Sequence, residues 1–130
     1  MLEITFGPPA KSTRPGEDGS RFEFPFIASS QGQNESTSHR LSVLLVRSAT
    51  TKWRRAFKEG GATFDEAALP KLIFPYVVAH VREVAQSSPL PPHWELVLST
   101  LVVNPEPPGD PTRLAEPAGH VLKIARPFGQ

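Results

Sequence analysis

Cysteine is absent from the 130 residues. Disulfide scaffolds, cysteine nucleophiles, thiolate zinc sites and iron–sulfur centres are excluded with it. An excess of one charge is also missing. Fourteen basic and thirteen acidic side chains leave a formal charge of +1, so the totals indicate neither a strongly basic nucleic-acid binder nor an acidic tail. Long hydrophobic runs are lacking too. The richest stretches, Leu72–Val84 and Trp94–Val103, fall short of the roughly 20 apolar residues of a membrane span. The opening Met1–Arg14 has no basic start followed by an apolar stretch, so it does not read as a signal peptide and the expected location is cytoplasmic. Among catalytic motifs there is no GxSxG, no glycine-rich phosphate loop and no dinucleotide fingerprint.

What is present suits a globular chain. Hydrophobic residues make up 38%, enough for a modest core. Proline is the outlier at fifteen residues. Each proline fixes φ and removes a backbone donor, so many short elements and few long helices are expected. The length fits one domain, 1–130, with proline-rich loops at 7–20 and 104–119.

Leu2, Ile4 and Phe6 alternate with Glu3 and Thr5 and predict a first strand. Arg21–Ala28 alternates most clearly, with Phe22, Phe24 and Phe26 on one face. Pro25 cannot donate to a ladder, which predicts an edge or partly unpaired strand. Ser29–His39 has no large apolar residue and reads as an exposed loop. Arg40–Ser48 is apolar on both faces and reads as a central strand. Ala49–Thr51 then reads as a turn, Lys52–Phe57 as a returning strand, and Ala62–Phe64 as a further short one. Asp65–Leu69 predicts a helical turn. The main helix is expected over Pro75–Ser87, with Pro75 in the first position and Val77, Val81 and Val84 as its apolar stripe. Pro89, Pro91 and Pro92 end it. Trp94–Val103, with Trp94, Leu96, Leu98 and Val102 on one face, and His120–Ala125 complete the strands. The fold class is α+β: an antiparallel sheet of four to six strands packed on one main helix.

Chemistry-bearing constellations are sparse. His39, His80, His93 and His120 form no HxH, HExxH or HxxxH pattern. His80 and Glu83 are neighbours on one helix face. Bare pairs of this kind usually sit on a solvated face, so no metal site, no cofactor and no catalytic residue is assigned. An enzyme built from dispersed residues would draw on His80, Glu83 and Asp65. Arg47, Lys52, Arg54, Arg55 and Lys58 interleave with Trp53 and Phe57, a pattern that can track a nucleic-acid backbone and stack bases. A hairpin with one buried aromatic face explains it more simply, and nucleic acid is not the expected partner. The row Phe22, Phe24, Phe26 is open to two readings, a core face or part of a groove for an extended peptide.

One segment resembles a known family. Lys71-Leu72-Ile73-Phe74-Pro75-Tyr76 opens the predicted helix, Arg82-Glu83 follows within it, and Pro89-Leu90-Pro91-Pro92 closes it. This is similar to the SecB-like protein-export chaperones, in which an aliphatic–Phe-Pro-Tyr segment opens a long helix after a four-stranded antiparallel sheet. Here Val77–Val81 separates the tyrosine from the Arg-Glu pair, which comes sooner in the family. The resemblance over Leu72–Glu83 implies a non-catalytic holdase that binds extended apolar segments of unfolded polypeptide and assembles as a dimer or tetramer. Phe22, Phe24, Phe26, Trp53 and Tyr76 are the candidate peptide-binding residues; Phe22, Phe24, Phe26 and Trp53 come from the pattern, and for Phe74, Pro75 and Tyr76 of the family segment the resemblance implies a structural role. The alternative is a small α+β interaction or ligand-binding module of an unassigned family, a class that includes mobile-element accessory proteins.

Overall fold

A computed structural model describes residues 1–30, 36–87, 101–107 and 114–125. The alternation at the start becomes strand β1 (Leu2–Phe6), with every second residue buried. It is followed by β2 (Ala10–Ser12), β3 (Gly19–Ser30), β4 (Ser36–Val46), α1 (Arg47–Glu59), a 3-10 turn (Glu66–Ala68), α2 (Leu69–Ser87), β5 (Leu101–Val103) and β6 (Val121–Ile124). The sheet order is β5-β4-β3-β1-β6, with β2 also paired to β3. All pairings are antiparallel except β4–β5, which is parallel. The expected α+β class holds, with two α-helices among the described residues in place of the one main helix expected.

Strand β3 is central, not an edge. Pro25 is tolerated there because its side of the ladder breaks. The register runs to Phe6↔Phe26 in β1 and resumes at Ala10↔Glu23 in β2, so Gly7, Pro8 and Pro9 face only Pro25 and Phe24. That is a bulge with one extra residue. Gly7 N–H still donates to the Pro25 carbonyl at 3.0 Å. A strand residue presents its N–H and C=O to the same side, so the donor Pro25 lacks would have faced this interruption. The segment 7–20 is therefore a bulge, a short strand and a turn rather than one loop. The described ends of the polar stretch Ser29–His39 are likewise strand, because β3 runs to Ser30 and β4 starts at Ser36. Backbone pairing from Ser29↔Ser36 to Gly19↔Val46 carries the two strands past the end of their apolar residues.

The segment expected to turn and return as a strand is helix α1. Its apolar positions Ala49, Trp53, Ala56 and Phe57 follow i, i+4, i+7 and i+8, a helical period hidden by the dense charges between them. Ala62–Phe64 is irregular. The helical turn before Pro70 is as expected: the Asp65 carboxylate accepts from Ala67 N–H at 3.0 Å and the turn runs into α2. Helix α2 begins at Leu69, so Pro75 lies inside it rather than at its start. The apolar stripe extends back through Leu72 and Ile73, and their burial outweighs the hydrogen bond that Pro75 cannot make. In β5 Val103 is buried and Val102 is 59% exposed, so the strand turns Val102 outward. The proline stop at 89–92 and the first part of the Trp94–Val103 strand lie outside the described residues.

Both helices cover one face of the curled sheet. Phe22, Phe24, Phe26, Leu41, Val43 and Leu45 from β3 and β4 meet Trp53 of α1 and Leu72, Ile73, Phe74, Val77 and Val81 of α2. Each such side chain contributes about 1.5–3 kcal/mol on burial. Phe74 anchors α2, with its ring edge-on to Phe6 at 5.0 Å and stacked over Phe24 at 6.2 Å. Strand β6 joins β1 through a second bulge, where Gly119 N–H donates to Phe6 O and Phe6 N–H donates to His120 O. Gly119 has φ +81°, the left-handed conformation this bulge demands.

Candidate functional site

Among the described residues no helix lies on the opposite sheet face. Alternation places Thr5, Pro25, Ile27, Ser38 and Arg40 on this outer face, opposite the buried Phe6, Phe26 and His39. Register puts them side by side. Val121 pairs Thr5, Thr5 pairs Ile27, Ile27 pairs Ser38, and Pro25 pairs Arg40. Where β1 leaves the ladder at the bulge, an open cleft of about 760 Å³ forms. Its lining combines Pro8, Pro25 and Ile27 with the hydroxyls of Thr5 and Ser38 and the cation of Arg40. Phe6, Gly7, Phe26 and His39 complete it. Ile27 is 50% exposed and Val121 44%, large apolar side chains that no helix among the described residues covers. His39 is fixed beneath: its ring stacks on Phe26 at 5.3 Å, and its Nε2 shares a 2.6 Å hydrogen bond with Thr37 Oγ1.

Further along the same face the charges are already engaged. Buried Arg21 donates from Nε to the Glu17 carboxylate at 2.8 Å and from Nη1 to Ser42 Oγ. Ser42 in turn donates to Glu23 at 3.2 Å. The hydrogen bond from Arg21 holds the Glu17 carboxyl below its ordinary value, and the Glu17 carboxylate holds Arg21 charged. The turn Arg14–Glu17, with Gly16 at φ +81°, brings Glu17 onto the arginine.

The expected peptide groove does not form where the phenylalanine pattern put it. Phe22, Phe24, Phe26 and Trp53 are all at most 4% exposed. Their side chains are the sheet's inner layer, and both helices lie on it. This corrects their placement as a surface groove: the row reads as core because the helices need an apolar face to pack on. Tyr76 alone of the five is exposed, on the outer side of α2. Of the five, Phe26 lines the cleft from beneath; Pro25, Ile27 and Arg40, which line it as well, sit on the other phase of the same strands. The signal for them was Ile27, a large apolar residue out of phase with the phenylalanines.

The remaining candidates separate. Among the described residues no three His, Asp or Glu side chains converge on a point that could hold a metal. His80 Nε2 is buried without a hydrogen-bond partner among them. His93 lies outside them. The basic residues of α1 are exposed, but Arg47 pairs with Asp18, Lys52 with Glu106 and Arg54 with Glu66. Trp53 faces the sheet, and Phe57 packs edge-on against Phe64 at 5.5 Å, so the aromatics that would stack bases are turned inward. Among the described residues no helix is long and apolar enough to cross a membrane. No family model matches the sequence, and neither does any curated protein or solved structure.

Proposed function

We propose that this chain is a non-catalytic binding protein that takes up an extended apolar segment of another polypeptide across the outer face of its sheet. The observation that carries the reading is the cleft at the β1–β2 bulge, where Ile27, Pro25 and Pro8 present apolar surface beside hydroxyls able to hydrogen-bond a peptide backbone. The Phe-Pro-Tyr segment within α2, after a run of antiparallel strands, supports a SecB-like holdase working as a dimer or tetramer in the cytoplasm. The modest extent of the exposed apolar positions on the outer face, Ile27, Val121 and Val102, favours the second reading, an interaction module with one dedicated partner.

Light scattering of the protein with and without a permanently unfolded, carboxymethylated client tests the proposal. A complex that co-elutes with the client, and is lost in Ile27→Glu while the fold is retained, is the expected result. A chain that ignores the client, or an Ile27→Glu variant that binds as before, overturns it. Binding by an oligomer supports the holdase form, and binding by a monomer supports the dedicated module.

A further inference from the structure

We propose that the bound segment carries a carboxylate side chain two residues from an aliphatic one, and that Arg40 selects it. This rests on the binding reading above and adds the chemical class of the ligand. Among the described residues of the cleft lining Arg40 is the one with a fixed charge, and no acidic side chain accompanies it. Arg40 is exposed and has no ion-pair partner among the described residues, whereas Arg21, on the same face, is already neutralised by Glu17. The cleft is therefore positive at one defined position; the acid on the adjacent row, Glu23, accepts from Ser42 and forms no ion pair with Arg40.

Spacing fixes the pattern. Ile27↔Ser38 and Pro25↔Arg40 are consecutive rows on one face of β3 and β4, two residues apart along each strand. Two residues of strand span about 7 Å. An extended chain lying along the strands repeats its own side chains at the same interval. An aliphatic side chain on Ile27 thus places the side chain two positions away at the Pro25–Arg40 row. The guanidinium fork there suits a carboxylate. The ligand class is an extended peptide of the form aliphatic–any–Asp/Glu. One cation without exposed aromatic rings in the cleft gives nothing for a nucleic-acid strand to follow.

The test uses two nine-residue peptides of alternating Thr and Ile, identical except for Glu or Lys two residues from the central Ile. Their affinities are read by fluorescence anisotropy on the full chain. The wild type is expected to prefer the Glu peptide by about fivefold, the scale of one exposed ion pair. Added salt erodes the preference. Arg40→Gln removes it and Arg40→Glu reverses it, with circular dichroism confirming that both variants fold. Equal binding of the two peptides by the wild type, or a preference unchanged in Arg40→Glu, overturns the inference. So does failure of both peptides to bind while the unfolded client still binds; failure of the client as well sinks the binding reading itself. A concentration-dependent dimer that Arg40→Glu converts to monomer would make the occupant a second copy of this chain and overturn the inference too.

Discussion

A Cβ on Gly19 would lie 2.2 Å from the Leu45 carbonyl oxygen, and the backbone there has φ +146°. Gly19 opens β3 opposite Val46, so the clash is with the neighbouring strand's backbone and cannot be relieved by a rotamer change. Gly19→Ala is expected to destabilise the fold by about 3 kcal/mol or more, read from urea midpoints. Gly16, which has nothing within 4 Å of its would-be Cβ, carries only the conformational penalty of its positive φ. The Glu17–Arg21 pair gives a pH prediction. The carboxyl of Glu17 has its folded pKa lowered by the bond from Arg21, so its contribution is complete above the ordinary value of 4.5. It is lost as pH falls through the lowered value. The stability difference between wild type and Glu17→Gln should be constant near neutrality and shrink in acid. A difference that grows on acidification would contradict the pairing. Neither residue was legible as a pair in the sequence, because Glu17 lies in a proline- and glycine-rich stretch with no period to place it.

At the scale of elements, helix α2 offers a discriminating substitution. Had Pro75 opened the helix, replacing it would remove a favourable start. It lies six residues after Leu69, where it denies a donor to the carbonyl one turn back. Pro75→Ala is expected to stabilise the protein by about 1–2 kcal/mol, the helical gain less the lost rigidity of the unfolded chain. A fall in the thermal midpoint would show that the proline ring itself is needed. The valine stripe of this helix was readable by period alone. Its first turn was not, because Pro70 and Pro75 both look like helix starts until Leu72 and Ile73 are seen packed on the sheet. Helix α1 failed for a related reason. Charged residues at Lys52, Arg54, Arg55 and Lys58 leave Trp53 and Phe57 as its large apolar residues, and alternation and helical spacing both accommodate so few points.

For the whole molecule, one buried cluster joins β1, β3, β4, β5, β6 and both helices. Trp53 has no exposed surface and ties α1 to that cluster. Trp53→Ala is expected to cost about 3–5 kcal/mol. In the wild type, unfolding followed by near-ultraviolet and far-ultraviolet circular dichroism should give coincident transitions. Separate transitions would mean that α1 and the sheet do not share a core. The sequence by itself determined the α+β class, the alternation along β1 and β3, the strand at Val121–Ile124 and the Val77–Val81–Val84 stripe. These depend on local period, which a chain carries without knowing its neighbours. Tertiary structure alone decided that β3 is central, that the phenylalanines are covered, and that no helix among the described residues lies on the outer face around Ile27 and Arg40. An alternating strand states that one face is apolar, but only the packing of α1 and α2 decides which face is closed. Likewise, Pro25 could sit mid-sheet only because the facing strand steps out of register at Gly7–Pro9. That pairing is a property of two segments far apart in the chain.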